Sequence, residues 1–173
     1  GHWEALINNY NVVVRETGTN ELIRLSMDGS EGDAYELSSI AWSPDSSKLA
    51  AYRVKPGYLR EIHYIESSPV DQLQPKHSTR GYAKPGDRLD KEMPVIFDLD
   101  LHTQAHVDDT LFPNPYSMSR FVWREDSNAL TFEYNQRGHQ LYRVIELLAD
   151  SGVARALITE EMNTFFHYSG KKF

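Results

Sequence analysis

Arginine and tyrosine side chains around one polar segment are the residues best suited to bind another molecule. A guanidinium group donates hydrogen bonds to carbonyl or carboxylate oxygens, and a tyrosine ring offers an apolar surface with a hydroxyl at its edge. If the chain contacts a peptide carbonyl or a partner subunit, Arg53 and Arg60 are the first candidates. The whole group comprises Arg53, Arg60, Arg137, Tyr52, Tyr58 and Tyr64.

Two histidines, His102 and His106, have the spacing of metal ligands on a helix. The stretch LHTQAHVDD reads instead as a turn followed by a strand. Residues four apart on a strand are separated by about 13 Å, which is too far for both to bind one ion. We therefore predict no metal site, and we interpret the other histidines as hydrogen-bonding residues of loops and strands.

The composition is that of an acidic globular chain. It has 173 residues, of which 40% are apolar and 25% charged, enough for one domain with a sizeable core. The net charge of −7 argues against nucleic acid as the main partner, because phosphate binding needs a basic face. The absence of cysteine excludes disulfides, thiolate metal sites and cysteine nucleophiles. No segment approaches the ~20 apolar residues of a membrane span, so none is predicted.

Hydrophobic periodicity predicts strands along almost the whole chain. About ten short runs alternate or are rich in β-branched and aromatic residues, and they are separated by turn sequences such as SPDSS, REDSN and LADSG. The first two runs are YNVVVR and ELIRLSM, with ETGTN as a hairpin connection. The one helical candidate is a turn at 159–164, which Thr-Glu-Glu would open.

A repeat shows how the strands are grouped. Trp42 in IAWSPDSSKLAAYRV and Trp123 in FVWREDSNALTFEYN lie 81 residues apart, and at the same offset Asp45 matches Asp126. Each copy predicts a strand ending in Trp, a tight turn in which the Asp side chain caps backbone N–H groups, and a second strand. Another hairpin follows the second copy, so the unit has four antiparallel strands. Repeated four-stranded units are typical of a β-propeller.

The spacing of the repeat exceeds the ~40–50 residues of one blade. Residues 67–93, rich in Pro, Lys and Asp, account for the excess as an insertion within a blade. We predict an all-β fold with two whole blades, the last strands of a preceding blade and, in FFHYSGKKF, the first strand of the next. The two tryptophans are predicted to pack between blades.

Several motifs in order resemble one family. They are WSPDSSKLAAYR at 42–53, YIESSP at 64–69, YAKPG at 82–86, FDL at 97–99 and FEYNQRGHQ at 132–140. This order is similar to the N-terminal β-propeller of dipeptidyl peptidase IV and its bacterial relatives, in the prolyl oligopeptidase family of serine peptidases. The resemblance covers nearly the whole chain, so residues 1–173 are interpreted as a fragment of that propeller domain.

The resemblance implies a longer enzyme in which the propeller precedes a hydrolase domain carrying Ser, Asp and His. This sequence has no G-x-S-x-G nucleophile elbow. The nearest approach, His167 to Gly170, lacks the leading Gly, so the chain itself is not expected to cleave peptides. The resemblance further implies peptide substrates, a hydrolase domain in cis, no cofactor, and a periplasmic or cell-envelope location in a bacterium.

In dipeptidyl peptidase IV the propeller places a pair of Glu residues on the free amine of the substrate. Two carboxylates match both the charge and the donors of one ammonium. The corresponding stretch here, DGSEGDAYE at 28–36, has no adjacent Glu pair. Glu31, Asp33 and Glu36 are the candidate replacements. The adjacent pair Glu160 and Glu161 is interpreted as a solvated blade corner or helix start.

Two further expectations remain open at this point. The rival interpretation is a stand-alone TolB-like propeller that binds a protein or ligand and has no hydrolase partner. The residues downstream of such a sequence would lack the Ser, Asp, His order of a hydrolase domain. In addition, an incomplete ring of blades leaves apolar faces uncovered, so self-association or marginal stability is expected.

Overall fold

The structure is a computed structural model that describes residues 2–165. Within that range it contains fifteen strands, two short 3-10 turns and no α-helix, and every strand pair is antiparallel. The all-β prediction is therefore confirmed. The strands are Trp3–Asn8 (β1), Asn11–Glu16 (β2), Leu22–Arg24 (β3), Ala34–Tyr35 (β4), Ala41–Trp42 (β5), Lys48–Lys55 (β6), Arg60–Glu66 (β7), Lys76–Tyr82 (β8), Lys91–Asp98 (β9), Thr103–Ala105 (β10), Pro115–Met118 (β11), Val122–Trp123 (β12), Ala129–Gln136 (β13), Leu141–Leu148 (β14) and Ala154–Glu161 (β15).

Three sheets succeed one another along the chain as propeller blades. Blade A has the order β1-β2-β3, blade B has β10-β9-β6 with β4 and β5 both on β6, and blade C has β15-β14-β13 with β11 and β12 both on β13. In blades B and C the first strand is thus broken into two short pieces. A serine hydroxyl bridges each break, because Ser39 Oγ accepts the Tyr52 amide and Ser119 Oγ accepts the Glu133 amide, both at 2.8 Å.

Both Asp turns form as the repeat predicts. Asp45 Oδ1 accepts the Ser47 amide at 3.0 Å, and Asp126 Oδ1 accepts the Asn128 amide at 3.0 Å. The residue after each Asp has a positive φ, 62° at Ser46 and 58° at Ser127, as a tight turn requires. The predicted capping role of Asp45 and Asp126 is confirmed.

Two hydrophobic layers hold the blades together, and strand alternation separates them. On β6, Leu49 and Ala51 belong to the layer shared with blade A, while Ala50 and Tyr52 belong to the layer shared with blade C. Tyr52 stacks on Phe121 of blade C with ring centroids 4.2 Å apart. Because side chains on a strand point alternately to its two faces, blade B supplies apolar residues to both neighbours.

The two tryptophans lie in these layers, as predicted. Trp42 packs in the layer between blades A and B, and Trp123 packs in the layer between blades B and C. The Trp123 indole also donates a 3.0 Å hydrogen bond to the Ala41 carbonyl of the preceding blade.

The inserted segment is longer than the sequence suggests and starts earlier. Residues Pro56–Asp90 form a compact unit of their own, built around the hairpin of β7 and β8. The predicted range 67–93 is therefore corrected at both ends. The run REIHYIE is β7 of this unit and not a blade strand, whereas Lys91–Met93 belongs to β9, which pairs directly with β6.

Three other expectations differ from the structure or fall outside it. The helical candidate at 159–164 is wrong, because Thr159–Glu161 continues β15 and pairs with β14. The acidic pair Glu160 and Glu161 is accordingly part of an exposed strand. The predicted strands begin at Tyr10 and omit β1, which adds a third strand to blade A. The predicted strand in FFHYSGKKF and the serine of His167 to Gly170 lie outside the described residues, apart from Phe165.

Substituting Asp45 tests the turn through pH. Hydrogen bonds from the Ser43 hydroxyl and the Ser47 amide hold the pKa of the Asp45 carboxyl well below its usual range. A carboxyl whose pKa is lowered by folding stabilises the fold above its unfolded pKa of ~3.9, and the effect is lost as pH falls through the folded value. In Asp45→Asn, the deficit in free energy of unfolding should therefore be present at pH 7 and shrink steadily as pH falls below about 4. Glu125→Gln in the blade C turn is the control for the loss of one negative charge, and both variants are compared in urea titrations across this pH range.

The blade should also close without the inserted unit. Lys55 and Lys91 lie directly opposite each other at the open end of β6 and β9. Replacing residues 56–90 by Asn-Gly, which favours a type I′ turn, should give a folded chain whose melting temperature changes by only a few degrees. Joining Lys55 to Glu92 with the same turn shifts the register by one residue and turns the core face of β9 outward. That second variant should lose its cooperative melt in circular dichroism, and a first variant that unfolds equally would contradict the strand order of blade B.

Candidate functional site

The acidic loop at 28–36 joins blade A to blade B and is shaped by a tight turn. Ser30 and Asp33 exchange two backbone hydrogen bonds of 2.9 and 3.0 Å. Gly32 has a φ of 74°, which the third position of a type II turn requires and which a side chain would disfavour. Glu31 therefore stands at the tip of the turn, where it is exposed.

Arg53 ties this loop to the blade. It lies on β6 opposite Tyr35 of β4, and its side chain is only 25% exposed. One terminal nitrogen of its guanidinium group donates to Asp28 Oδ2, and its Nε lies 3.2 Å from Asp33 Oδ1. The contact between Arg53 Nε and Asp33 is an ion pair, and its atoms are not aligned as in a hydrogen bond. Lys55 Nζ lies 3.2 Å from Asp33 Oδ2, so two cations face two carboxylates.

Tyr35 completes this Arg53 cluster, which comprises Asp28, Asp33, Tyr35, Arg53 and Lys55. Its hydroxyl donates to Asp28 Oδ1 at 2.9 Å. Burial, and next the Asp28 charge, raise the pKa of Tyr35 well above its usual value, so the hydroxyl remains a donor. The cluster is balanced in charge and contains no activated nucleophile. The cluster therefore has a structural role, which is to hold the acidic loop in one position on β6.

The predicted acidic residues thus fall into two groups. Asp33 is paired with Arg53 and Lys55. Glu31 and Glu36 are exposed, and neither forms an ion pair with any other residue in the range 2–165. Of the five predicted contact residues, the structure brings together Asp33 and Arg53. Sequence reasoning did not identify Asp28 as the ion-pair partner of Arg53, although the acidic stretch begins with Asp28.

Glu36 lies at a shallow depression where the first strands of blades B and C approach each other. Its Oε1 accepts the Ser38 hydroxyl at 2.6 Å. The depression has a volume of about 120 Å³. Its lining residues combine two carboxylates with one guanidinium group, and they are Glu36, Ser38, Ser39, Tyr52, Glu92, Met118, Ser119 and Arg120.

Arg60 belongs to the inserted unit and is fixed there. Its Nε donates to both carboxylate oxygens of Asp87, at 2.8 and 2.9 Å, and its guanidinium carbon lies 5.3 Å from the Tyr58 ring centre. The Lys84 amide is the main cause of a lowered pKa at Asp87, and Arg60 adds to it. The same unit pairs His63 Nδ1 with His77 Nε2 at 2.9 Å across the β7–β8 hairpin, which agrees with a hydrogen-bonding role for these two histidines.

His102 and His106 do not belong to any group of metal-ligating side chains in the part of the chain that the structure describes. His102 lies in the turn between β9 and β10 with a φ of 52°, and His106 follows β10. Across residues 2–165 no three His, Asp or Glu side chains are grouped so that they could hold a metal ion. In the same range no helix is long and apolar enough to cross a membrane.

Comparison with known proteins supplies the family. The model of the dipeptidyl peptidase IV N-terminal region matches residues 1–172. The chain belongs to this family. Among solved structures, the crystal structure of Porphyromonas gingivalis dipeptidyl peptidase 4 is similar, with a TM-score of 0.65 and 15% sequence identity. The similarity covers 95% of this chain and 25% of that one, so the chain spans about a quarter of that protein's length. A search of curated proteins finds no match.

Family membership agrees with the architecture derived from the strands. The dipeptidyl peptidase IV N-terminal region is a propeller, and blades A, B and C are successive parts of one. The chain is therefore a propeller portion of a dipeptidyl-peptidase-IV-like protein. The family resemblance inferred from the WSPDSS and NQRGHQ motifs is confirmed.

A double-mutant cycle tests the Arg53 cluster. Arg53→Met and Asp28→Asn should each lower the free energy of unfolding, with a coupling of about 1 kcal/mol, because both groups belong to one partly buried ion-pair network. The control cycle uses Arg15 and Glu4, a pair on the exposed face of blade A with side chains 40% and 45% exposed. That pair should couple by less than about 0.5 kcal/mol, since solvent screens it. Equal couplings in urea unfolding would contradict the role given to Arg53.

Proposed function

We propose that this propeller portion helps to admit and position peptide substrates for a serine hydrolase domain in cis. The family match over residues 1–172 is the observation that carries this proposal. A ring of blades beside an active site restricts entry to short or unfolded peptides. The reaction itself is assigned to the hydrolase domain, as no nucleophile elbow occurs in the chain.

The acidic loop supports a role in recognising the substrate amine. Asp28 and Asp33 are neutralised by Arg53 and Lys55, whereas Glu31 and Glu36 remain exposed on the same loop. A substrate ammonium needs both negative charge and acceptor oxygens, which carboxylates supply together. In this proposal Glu31 and Glu36 contact the amine, and Arg53 with Asp33 positions the loop that carries them.

Other parts of the proposal rest on the family and on charge. The protein acts in the periplasm or cell envelope of a bacterium, where peptides are the substrates. With a net charge of −7, nucleic acid is not the expected partner. Arg60 stays a predicted contact for a peptide or partner, since its side chain is 48% exposed even while paired with Asp87.

Substitutions in the longer protein that contains this region test the proposal. Glu31→Gln and Glu36→Gln should each raise KM about tenfold or more for Xaa-Pro dipeptide reporters with a free amine, because each removes a charge-assisted hydrogen bond. The stable fold should be retained, since both residues are exposed. Steady-state kinetics on the same reporters with an acetylated amine should show no difference between variant and parent.

The control is Glu21→Gln, an exposed glutamate in the connection between β2 and β3. This substitution should leave KM unchanged. If the Glu31 and Glu36 variants also leave KM unchanged, amine recognition by the loop is disproved. If the longer protein carries no G-x-S-x-G segment after its blades, the peptidase role fails and a stand-alone binding propeller is favoured.

A further inference from the structure

Arg60 has hydrogen-bond donors that are still available, unlike the other candidate arginine. The partly buried guanidinium group of Arg53 faces the carboxylates of Asp28 and Asp33. Arg60 is about half exposed, and only its Nε is bonded, to the two carboxylate oxygens of Asp87. Among residues 2–165, neither terminal nitrogen of Arg60 has a hydrogen-bond partner. These two nitrogens therefore remain free to donate to another molecule.

The YAKPG motif forms part of the turn that fixes Asp87. The Asp87 amide donates to the Lys84 carbonyl at 3.0 Å, and Gly86 has a φ of 92°. With Pro85 before that glycine, Lys84 to Asp87 has the features of a type II turn. The Lys84 amide donates in return to Asp87 Oδ2 at 2.8 Å. The buried Asp87 carboxylate is therefore held by the same short turn at its backbone and at its side chain.

Two tyrosines lie beside the guanidinium group that Asp87 holds. The guanidinium carbon of Arg60 lies over the Tyr58 ring, 5.3 Å from its centre. The Tyr58 amide donates to the Arg88 carbonyl at 2.8 Å, which fixes the backbone below that ring. Tyr82 lies directly opposite Arg60 in the β7–β8 register, so both side chains are on one face of the hairpin. Both tyrosines are more than half exposed, so their rings remain able to contact another molecule.

The charge and shape of this group suit a carboxylate. The terminal nitrogens of a guanidinium group form a planar fork that matches the two oxygens of a carboxylate. Arg60 and Lys84 both act on the single negative charge of Asp87, which leaves a surplus of one positive charge. Glu61 is the next residue along β7, so it points to the opposite face of the hairpin. A surplus of one charge matches a monoanion, and the two rings match an apolar body attached to it.

We propose that Arg60, with Tyr58 and Tyr82 beside it, forms a binding site for a carboxylate group of a peptide. The two terminal nitrogens of Arg60 donate to the carboxylate oxygens, and the two rings contact an apolar side chain of the same peptide. Asp87 does not touch the peptide. It is a positioning residue, because it holds the guanidinium group in one orientation and so lowers the entropy that binding costs.

Such a carboxylate comes either from the C-terminus of a peptide or from an acidic side chain within it, and three probes separate these sources. Acetyl-Gly-Phe has a terminal carboxylate, acetyl-Asp-Phe-amide has one in a side chain, and acetyl-Gly-Phe-amide has neither. The site rests on the contact role of Arg60 in the proposed function and is independent of amine recognition by Glu31 and Glu36.

Titration of the whole chain with these probes, followed by NMR at the backbone amides of Tyr58 and Tyr82, tests the proposal. One or both carboxylate probes should shift these signals to saturation, and the neutral probe should not. Arg60→Lys keeps the charge but loses the planar fork, so it should weaken binding of the carboxylate probe about tenfold. Arg24→Gln removes an exposed arginine of β3 and is the control, which should leave the affinity unchanged.

Asp87→Asn separates the position of the guanidinium group from its charge. This variant makes the site more positive, so charge alone would strengthen binding. Asparagine has one acceptor oxygen for the two donors, Lys84 and Arg60, so the guanidinium group is held less well and the affinity should fall. The amide signals of β7 and β8 report whether the hairpin stays folded, and Arg60→Lys decides the matter if it does not.

Several outcomes overturn the proposal. Equal binding of the neutral probe would show that the rings alone bind the peptide. Unchanged affinity in Arg60→Lys, tighter binding by a folded Asp87→Asn variant, or tighter binding of inorganic phosphate than of either carboxylate probe would each contradict the site as described. None of these outcomes bears on the KM of the Glu31 and Glu36 variants, so failure of this site and failure of amine recognition are distinguishable.

Discussion

The structure depends on one constraint, which is that the central blade, blade B, presents apolar side chains on both faces of its sheet. Leu49 and Phe97 of blade B lie in the layer shared with blade A, whereas Ala50 and Ile96 of the same two strands lie in the layer shared with blade C. Exposing either face of this sheet to water would forgo the transfer free energy of its apolar area. Blades must therefore be stacked, and all connections, turns and insertions have to leave both faces accessible to their neighbours.

The same constraint explains where the chain tolerates extra residues. An insertion at the open end of the β6–β9 hairpin lengthens the connection between two paired strands. The pairing continues as far as Lys55 opposite Lys91, so the register and the core faces of both strands are unaffected. The inserted residues 56–90 then form their own hairpin, whose strands are mostly exposed. The unit satisfies its backbone hydrogen bonds internally, so it does not require a change in the strands of the blade that carries it.

Sequence reasoning succeeded where residue type alone determines structure and failed where tertiary context does. The Asp and Ser of each turn and the repeated Trp act locally or at equivalent positions, so Trp42, Asp45 and their counterparts were predicted correctly. The insertion boundary was misplaced because REIHYIE alternates as a blade strand would, and periodicity does not reveal a strand's partner. The helical candidate at 159–164 failed because pairing with β14 outweighed a helix-start pattern. Asp28 was overlooked because its partner Arg53 lies 25 residues away in sequence and meets it only through the pairing of β4 with β6.

Within the acidic loop, physical chemistry separates residues that hold structure from residues that remain able to bind. A carboxylate that is already paired with a guanidinium group has little left to offer a substrate ammonium, since binding would require the first ion pair to be broken or shared. Arg53 and Lys55 place Asp28 and Asp33 in that class. Glu31 lies at the tip of a turn whose geometry Gly32 permits, and Glu36 lies at the break between β4 and β5. Neither glutamate forms an ion pair with a cation among residues 2–165. The neutral cluster therefore supplies the rigidity, and the two exposed glutamates supply the charge. In the proposed role, such a pre-organised loop would lose little conformational entropy on binding a substrate ammonium.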